Sequence, residues 1–212
     1  GSFVEIDFAD PANPVIEKLD FDFASCGYAL CIVDTGGSHS DLTDEYAAVR
    51  KEMESVAEYL GKSVLREVDE QEFMKNIADI RSSCGDRAVL RAMHFYGDNA
   101  RVEKQAAALK AGDFETFKKY IIESGRSSYM YNQNVYSCKK VSEQPVSLAL
   151  SLSEKLLDGC GAWRVHGGGF AGTIQAFVPL NKLDEYKDLM EKVFGSGSCY
   201  ILSVRPVGGV EL

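Results

Sequence analysis

The order of apolar and polar residues predicts a hairpin and a central strand near the start of the chain. Residues 3–8 alternate largely between apolar and acidic side chains, which is typical of a strand with one buried face. The turn-forming stretch 10–14 follows, and a second extended segment runs through Phe21, so the two segments form a predicted hairpin. Residues 28–34 are a nearly continuous apolar run flanked by glycines, which indicates a central strand.

Five later segments carry apolar residues at the spacing of three and four that is typical of amphipathic helices. They are residues 46–60, 87–110, 114–121, 145–157 and 183–193. Flanking residues agree with helix ends, because Gly61 follows the first segment, Asp113 precedes the third and Pro145 opens the fourth. We expect the second and third helices to pack as an antiparallel pair, and residues 199–204 to form a last strand.

Residues 124–137 are predicted to be irregular. The run Ser124-Gly125-Arg126-Ser127-Ser128 interrupts the apolar stripe of the preceding helix, and a stretch rich in tyrosine and asparagine follows it. The amides of Tyr131-Asn132-Gln133-Asn134 could bind hydroxyl groups, but a solvated loop is the preferred interpretation. The elements together indicate an α+β protein with an antiparallel sheet.

A glycine-rich block follows the fourth predicted helix: Arg164-Val165-His166-Gly167-Gly168-Gly169-Phe170-Ala171-Gly172. Its glycines match the dinucleotide-binding spacing G-x-G-x-x-G, but that motif opens a helix, whereas residues 173–178 alternate like a strand. No Lys-Ser or Lys-Thr pair closes the glycines, which excludes a P-loop. The block predicts a turn between strands whose amides could line an anion or a sugar hydroxyl. A glycine-rich hairpin without a ligand is the open alternative.

The composition indicates a globular protein that binds neither nucleic acid nor membranes. The 212 residues suffice for one large domain or two small ones, and 45% of them are hydrophobic. The net charge is −9 with both signs interspersed, so there is no basic field for nucleic acid or an anionic membrane. Six scattered cysteines suggest reduced thiols rather than a zinc site or a disulfide framework. We therefore expect a cytoplasmic protein.

Seven short motifs follow one another along nearly the whole chain. They are Asp34-Thr35-Gly36, Ser38-His39-Ser40, Glu45-Tyr46 with Arg50, Leu65-Arg66-Glu67-Val68, Arg91-Ala92-Met93-His94 with Asp98-Asn99-Ala100-Arg101-Val102, Ala108-Leu109-Lys110-Ala111-Gly112-Asp113, and Gly161-Ala162 with Arg164 and the glycine block. Their order and spacing resemble the C-terminal half of the galactokinases. The glycine block itself resembles the third motif of the wider family of GHMP small-molecule kinases.

The resemblance implies a fold and a domain division. The fold is α+β, a GHMP kinase C-terminal domain in which an antiparallel sheet packs with helices around a ferredoxin-like core. Residues 1–26 would be a linking hairpin from the N-terminal half, and residues 27–212 would be the C-terminal domain. The sequence begins Gly1-Ser2-Phe3, so either a longer polypeptide was cut before Gly1 or an expressed segment was designed to begin there.

The resemblance also implies a reaction. The full-length parent would transfer the γ-phosphoryl group of ATP, with Mg²⁺, to the anomeric hydroxyl of galactose, in a cleft between two domains. In the family the phosphate-binding loop, the magnesium ligand and the catalytic Asp and Arg lie in the N-terminal half. Phosphoryl transfer depends on groups positioned around the phosphates and the metal. We therefore expect no catalytic or metal-binding residue here, and no activity from this chain alone.

Two contacts with the sugar are implied by matching positions. Tyr46 matches the family tyrosine that reaches the sugar, and Gly168 matches a glycine whose backbone lies against it. Gly167, Gly169 and Phe170 would maintain the shape of the loop near the phosphates. For Tyr46 the alternative is core packing, because it begins an apolar helix stripe. His166 and Arg164 are expected to be structural, Arg164 as a salt-bridge partner.

The chain departs from the family at two places. The family block Ser-His-x-Ser-Leu is replaced by Ser124-Gly125-Arg126-Ser127-Ser128, and Ala171 replaces a glycine. These changes suggest a divergent subgroup and leave the exact sugar open. A non-catalytic protein that senses sugar or nucleotide on the same scaffold is the alternative function.

A last expectation concerns association. A domain separated from its N-terminal half would expose the face that the half covers, including the glycine block, Tyr46 and the opening strand. We expect the isolated chain to self-associate, most simply as a two-fold dimer.

Overall fold

The computed structural model describes residues 3–37 and 42–204, which form six strands and seven α-helices. Strands β1 to β6 are Phe3–Asp7, Val15–Leu19, Tyr28–Asp34, Ala162–Val165, Thr173–Pro179 and Cys199–Leu202. Helices α1 to α7 are Thr43–Tyr59, Glu70–Lys75, Ile77–Cys84, Asp86–Lys110, Phe114–Ser127, Pro145–Leu157 and Leu183–Phe194. The predicted hairpin, central strand, five helices and last strand are confirmed.

The main sheet has four antiparallel strands in the order β4-β5-β3-β6. Strand β3 lies in its interior, between β5 and β6, as its continuous apolar run predicts. With α6 before β4 and α7 between β5 and β6, the connectivity is the β-α-β-β-α-β arrangement of ferredoxin-like folds. The predicted α+β class with an antiparallel sheet packed against helices is confirmed.

Both faces of the sheet are covered by apolar side chains. On one face Cys31 and Val33 of β3 pack with Val146 of α6 and with Tyr186 and Met190 of α7. On the other face Phe177 of β5 meets a cluster of aromatic rings from α5 and the opening hairpin. That cluster contains Phe3, Phe21, Phe23, Phe114 and Phe117. Because Phe3 and Phe23 pack into this cluster, the β1–β2 hairpin is fixed to the body of the fold.

Two helices, α2 and α3, are absent from the sequence prediction. They have six and eight residues, so each is too short to display a helical period. Asp69 caps α2, its carboxylate accepting hydrogen bonds from the N–H groups of Gln71 and Glu72. With α1 and α4 they enclose a separate apolar cluster around Phe73 and Ile80.

The prediction that residues 124–128 break the helical pattern is wrong. Helix α5 continues to Ser127, and a π-helical turn extends over Ser128–Asn132. The polar residues face α4 instead of solvent: Ser124 donates to Asp98 at 2.7 Å, and Ser127 pairs with the His94 ring at 2.9 Å. Burial lowers the pKa of His94, which keeps the imidazole neutral in this contact. The buried face of α5 therefore changes from apolar side chains to hydrogen-bonded polar ones. A prediction from apolar periodicity cannot detect a helix that is buried in this way.

Gly125 lets α5 pack directly on strand β4. A Cβ atom on Gly125 would lie 2.9 Å from the Cβ of Arg164 and 3.1 Å from the carbonyl oxygen of Trp163. Gly97 in α4 is a contrasting case, because its nearest neighbours are guanidinium atoms of the flexible Arg101 side chain at 3.3 Å.

We predict opposite effects of alanine at these two helical glycines. Gly125→Ala should lower the free energy of unfolding by about 1–2 kcal/mol, because crowding against β4 outweighs the gain in helix propensity. Gly97→Ala should raise it by up to about 1 kcal/mol, since only propensity changes there. Urea unfolding of both variants measures the difference. Equal effects of the two substitutions would contradict the packing of α5 on β4.

Candidate functional site

The glycine block forms the turn between β4 and β5, as the sequence predicts. The N–H of His166 donates to the carbonyl of Thr173 at 3.0 Å, which continues the strand pairing into the base of the turn. Gly167 and Gly168 are exposed at its tip, and Gly169 and Phe170 are buried. The turn therefore offers a short stretch of exposed backbone on a rigid base.

Tyr46 of α1 lies against this turn. Its hydroxyl donates a 2.7 Å hydrogen bond to the carbonyl of Gly169, and its ring meets the Phe170 ring edge-on at 5.3 Å between centroids. A Cβ atom on Gly168 would lie 2.8 Å from Cε1 of Tyr46, so only glycine allows this approach. Burial raises the pKa of Tyr46, which keeps its hydroxyl protonated as a donor. The structure thus brings the predicted residues Tyr46 and Gly168 into contact.

Asn134 holds the same turn from another side. Its side-chain amide donates to the carbonyl of Gly168 at 3.1 Å, and its main-chain carbonyl accepts from the N–H of Phe170. A Cβ atom on Gly169 would lie 1.8 Å from that carbonyl oxygen, so this position also requires glycine. Asn132 and Asn134 are both buried, which corrects the interpretation of this stretch as a solvated loop. Apolar periodicity gave no signal for them, because both are polar.

The loop after the central strand anchors the other end of the turn. Thr35 is buried, and both its N–H and its hydroxyl donate to the carbonyl of Gly172, at 2.9 and 2.7 Å. A cavity of about 630 Å³ opens beside this anchor, lined among others by Gly36, Lys140 and Phe170. This volume is in the range of small-molecule sites. Of the predicted motifs, Ser38-His39-Ser40 lies outside the described residues.

His166 and Arg164, which precede the turn in sequence, differ in exposure and in hydrogen-bond partners. His166 is exposed, and its Nδ1 pairs with the side-chain oxygen of Gln175 at 3.1 Å. Arg164 points toward α5 and donates from Nε to the carbonyl of Val165 at 3.2 Å. Burial lowers the pKa of Arg164, and the negative charge of Asp98 opposes that shift. Asp98 forms an ion pair with Arg101 and none with Arg164. The predicted salt bridge of Arg164 is therefore absent from the described part of the chain.

The described residues do not provide a metal centre. Within 3–37 and 42–204, no three His, Cys, Asp or Glu side chains are grouped so that they could hold a metal ion. The helices in these ranges include none that is long and apolar enough to cross a membrane. The contacts observed at the glycine turn are hydrogen bonds of backbone and side-chain groups.

Comparisons with known proteins identify galactokinases as relatives. No family model matches the chain. Human galactokinase is 31% identical over 184 residues, which cover 87% of this chain and 44% of the human protein. The galactokinase of Thermosipho africanus is 29% identical over 182 residues, which cover 84% of this chain and 47% of that protein. The galactokinase of Actinobacillus pleuropneumoniae serotype 5b is 26% identical over 164 residues, which cover 77% of this chain and 41% of that protein.

A solved structure supports the same relation at the level of fold. The galactokinase of Lactococcus lactis, complexed with galactose, superposes with a TM-score of 0.67 at 20% identity. The match covers 93% of this chain and 49% of that one. The chain thus spans less than half the length of the relatives that it matches, which agrees with the C-terminal half indicated by the motifs. In sequence and in fold, this chain is similar to the C-terminal half of galactokinases.

Proposed function

We propose that this chain is the C-terminal domain of a galactokinase-like sugar kinase and forms the sugar-facing wall of its active site. The observation that carries the proposal is the contact of Tyr46 with the glycine turn: the hydroxyl binds the Gly169 carbonyl, and Gly168 lies against the ring. Two residues assigned to the sugar by resemblance alone therefore meet at one place. In the parent protein, Tyr46 and the backbone of Gly168 contact galactose.

The residues of this chain have a binding role in the proposed reaction. Gly167, Gly169 and Phe170 fix the shape of the turn near the phosphates, and the turn orients the sugar. ATP supplies the phosphoryl group and Mg²⁺ neutralises its charge. Among residues 3–37 and 42–204, no three His, Cys, Asp or Glu side chains are grouped so that they could hold a metal ion. On the basis of the resemblance to galactokinases, we place the metal ligand, the phosphate loop and the catalytic Asp and Arg in the N-terminal half, and we propose that this chain alone is inactive.

We further propose that the N-terminal half covers a groove that starts at the candidate site. Beside Tyr46, a mainly apolar cavity of about 370 Å³ is lined by Val49, Met53 and Phe95. Phe95 also lines a neighbouring cavity of about 270 Å³ that reaches Phe8 beyond strand β1. The groove therefore joins the sugar-contacting tyrosine to the opening hairpin, as expected of a surface between two domains.

The division of the strands between two sheets supports the proposed domain boundary. Residues 1–26 contain the separate two-stranded β1–β2 sheet, and the four-stranded sheet begins at Tyr28. We propose that residues 1–26 link the two halves and that residues 27–212 are the C-terminal domain. A cytoplasmic location is proposed as well, since all six cysteines are free. No described contact favours the alternative of a non-catalytic sensor.

We predict that Gly168→Val in the full-length parent lowers kcat/KM for galactose more than tenfold, or about 1.4 kcal/mol or more of transition-state stabilisation. The new side chain would displace the Tyr46 ring from the turn. Steady-state kinetics with galactose and Mg-ATP measures the effect, and thermal unfolding should change little. Gly97→Ala, in helix α4, is the control and should keep wild-type kinetics. Equal losses of activity and of thermal stability in Gly168→Val would assign the glycine to folding alone.

We also predict that the isolated chain forms dimers through the hairpin. Val4, Ile6 and Ile16 share one face of β1 and β2 and are 39–62% exposed, an apolar surface beside unpaired strand edges. Size exclusion with light scattering at micromolar concentration should give a dimer. Ile6→Lys should give a monomer, whereas Val141→Lys, at an exposed loop position, should not change the mass. A monomeric wild-type chain would contradict this prediction.

A further inference from the structure

Two strained backbone positions meet at Asn134. Gln133 and Phe170 are the non-glycine residues with positive φ in the described part of the chain, at 54° and 58°. Gln133 directly precedes Asn134, and the Phe170 N–H donates to the Asn134 carbonyl. Such positions are unfavourable and persist when their surroundings fix them, often near functional sites. The strain here therefore converges on a single residue pair, the Asn134–Phe170 contact.

Asn134 is itself an unfavourable residue for a core. It is 5% exposed, and its side-chain oxygen Oδ1 is buried without a hydrogen-bond partner among the described residues. A buried acceptor without a partner lowers stability, because its hydrogen bonds to water are lost and not replaced. The compensating contact is the amide Nδ2, which donates to the Gly168 carbonyl. An apolar residue at this position would avoid the cost but would lose the contact with the turn.

The segment that carries Asn134 is tied to the helix that carries Tyr46. The carbonyl of Asn132 accepts a 3.0 Å hydrogen bond from Nε of Arg91, which is fully buried. The same guanidinium pairs with Glu52 of α1 at 2.8 Å. Farther along the segment, the Ser137 hydroxyl donates to the Glu45 carboxylate, next to Tyr46, at 2.8 Å. These hydrogen bonds and this ion pair therefore connect residues 132–137 to helix α1, and both contact the turn.

The contacts with Asn134 and Tyr46 engage two carbonyl groups of the turn. Asn134 occupies the carbonyl of Gly168, and Tyr46 occupies the carbonyl of Gly169. Across the described residues, the N–H groups of Gly167, Gly168 and Gly169 have no protein acceptor. Successive free N–H groups in such a turn form a donor surface for oxygen atoms. With the carbonyls of Gly168 and Gly169 engaged, the three N–H groups are the donors that this part of the turn presents to a ligand.

We propose that Asn134 is a positioning residue that, together with Tyr46, holds the glycine turn so that its N–H groups donate to hydroxyl oxygens of the sugar. This inference rests on the proposed function, since the sugar is the ligand of that site. Asn134 does not touch the sugar; it acts through Gly168. Its role is to fix which backbone groups of the turn are available.

Kinetics of the full-length parent tests the proposal with the nearly isosteric variant Asn134→Asp, which replaces the donating amide with an acceptor. We expect the KM for galactose to rise at least tenfold and the KM for ATP to stay within twofold. Tyr46→Phe should act in the same direction. The double variant should lose less than the product of the two single losses, because both side chains support one turn. The control Gln133→Gly, which tolerates the positive φ, should stay within twofold for both substrates.

Amide hydrogen exchange in the same protein separates the inference from the proposed function. In Asn134→Asp the Phe170 N–H should exchange at least tenfold faster, while amides of helix α7 keep their rates. If the wild-type protein lacks galactose phosphorylation, the proposed function fails, and the exchange result alone decides whether Asn134 positions the turn. An active wild type with unchanged KM for galactose in Asn134→Asp would overturn the inference. So would independent, multiplicative losses in the double variant, or unchanged Phe170 exchange. If Asn134→Asp does not fold, Asn134→Ser carries the same measurements.

Discussion

The hydrogen bond from the Tyr46 hydroxyl to the Gly169 carbonyl is the contact on which the candidate site depends. It can form only because two neighbouring positions lack a Cβ atom: Gly168 faces the tyrosine ring, and Gly169 faces the Asn134 carbonyl. Strands β4 and β5 place the turn at one end of the sheet, and Thr35 at the end of β3 fixes its far side. Helix α1, the end of strand β3 and the segment around Asn134 therefore contact Gly169, Gly172 and Gly168, respectively.

The residues that hold this turn in place are polar and buried, so their hydrogen bonds allow few alternative arrangements. Arg91 is fully buried and connects α4 to Glu52 of α1 and to the carbonyl of Asn132. Burial lowers the pKa of Arg91, and the charge of Glu52 opposes that shift. Removing one partner of such a pair leaves an uncompensated buried charge, so the arrangement tolerates few alternatives. The same support holds the strained conformation of Phe170.

Much of the fold could be predicted from the sequence because apolar periodicity follows burial. The bounds of β3 and α6 agree with their predicted segments, residues 28–34 and 145–157. Helix α3 and the end of α5 could not be predicted, the first because it is short, the second because it is buried through hydrogen bonds of Ser124 and Ser127. For the site, resemblance supplied Tyr46 and Gly168. Asn134 could not be found, since its burial and its partners arise only in the tertiary structure.

Hydrogen–deuterium exchange of the full-length parent with and without galactose, in the absence of ATP, tests directly whether the glycine turn contacts the sugar. We expect slower exchange on sugar binding in peptides that cover the glycine turn at residues 166–172 and the start of α1 at residues 43–50. Helix α7, which packs on the sheet through Tyr186 and Met190, serves as the internal reference and should not change. Protection by galactose that spares residues 166–172 would contradict the assignment of this turn to the sugar.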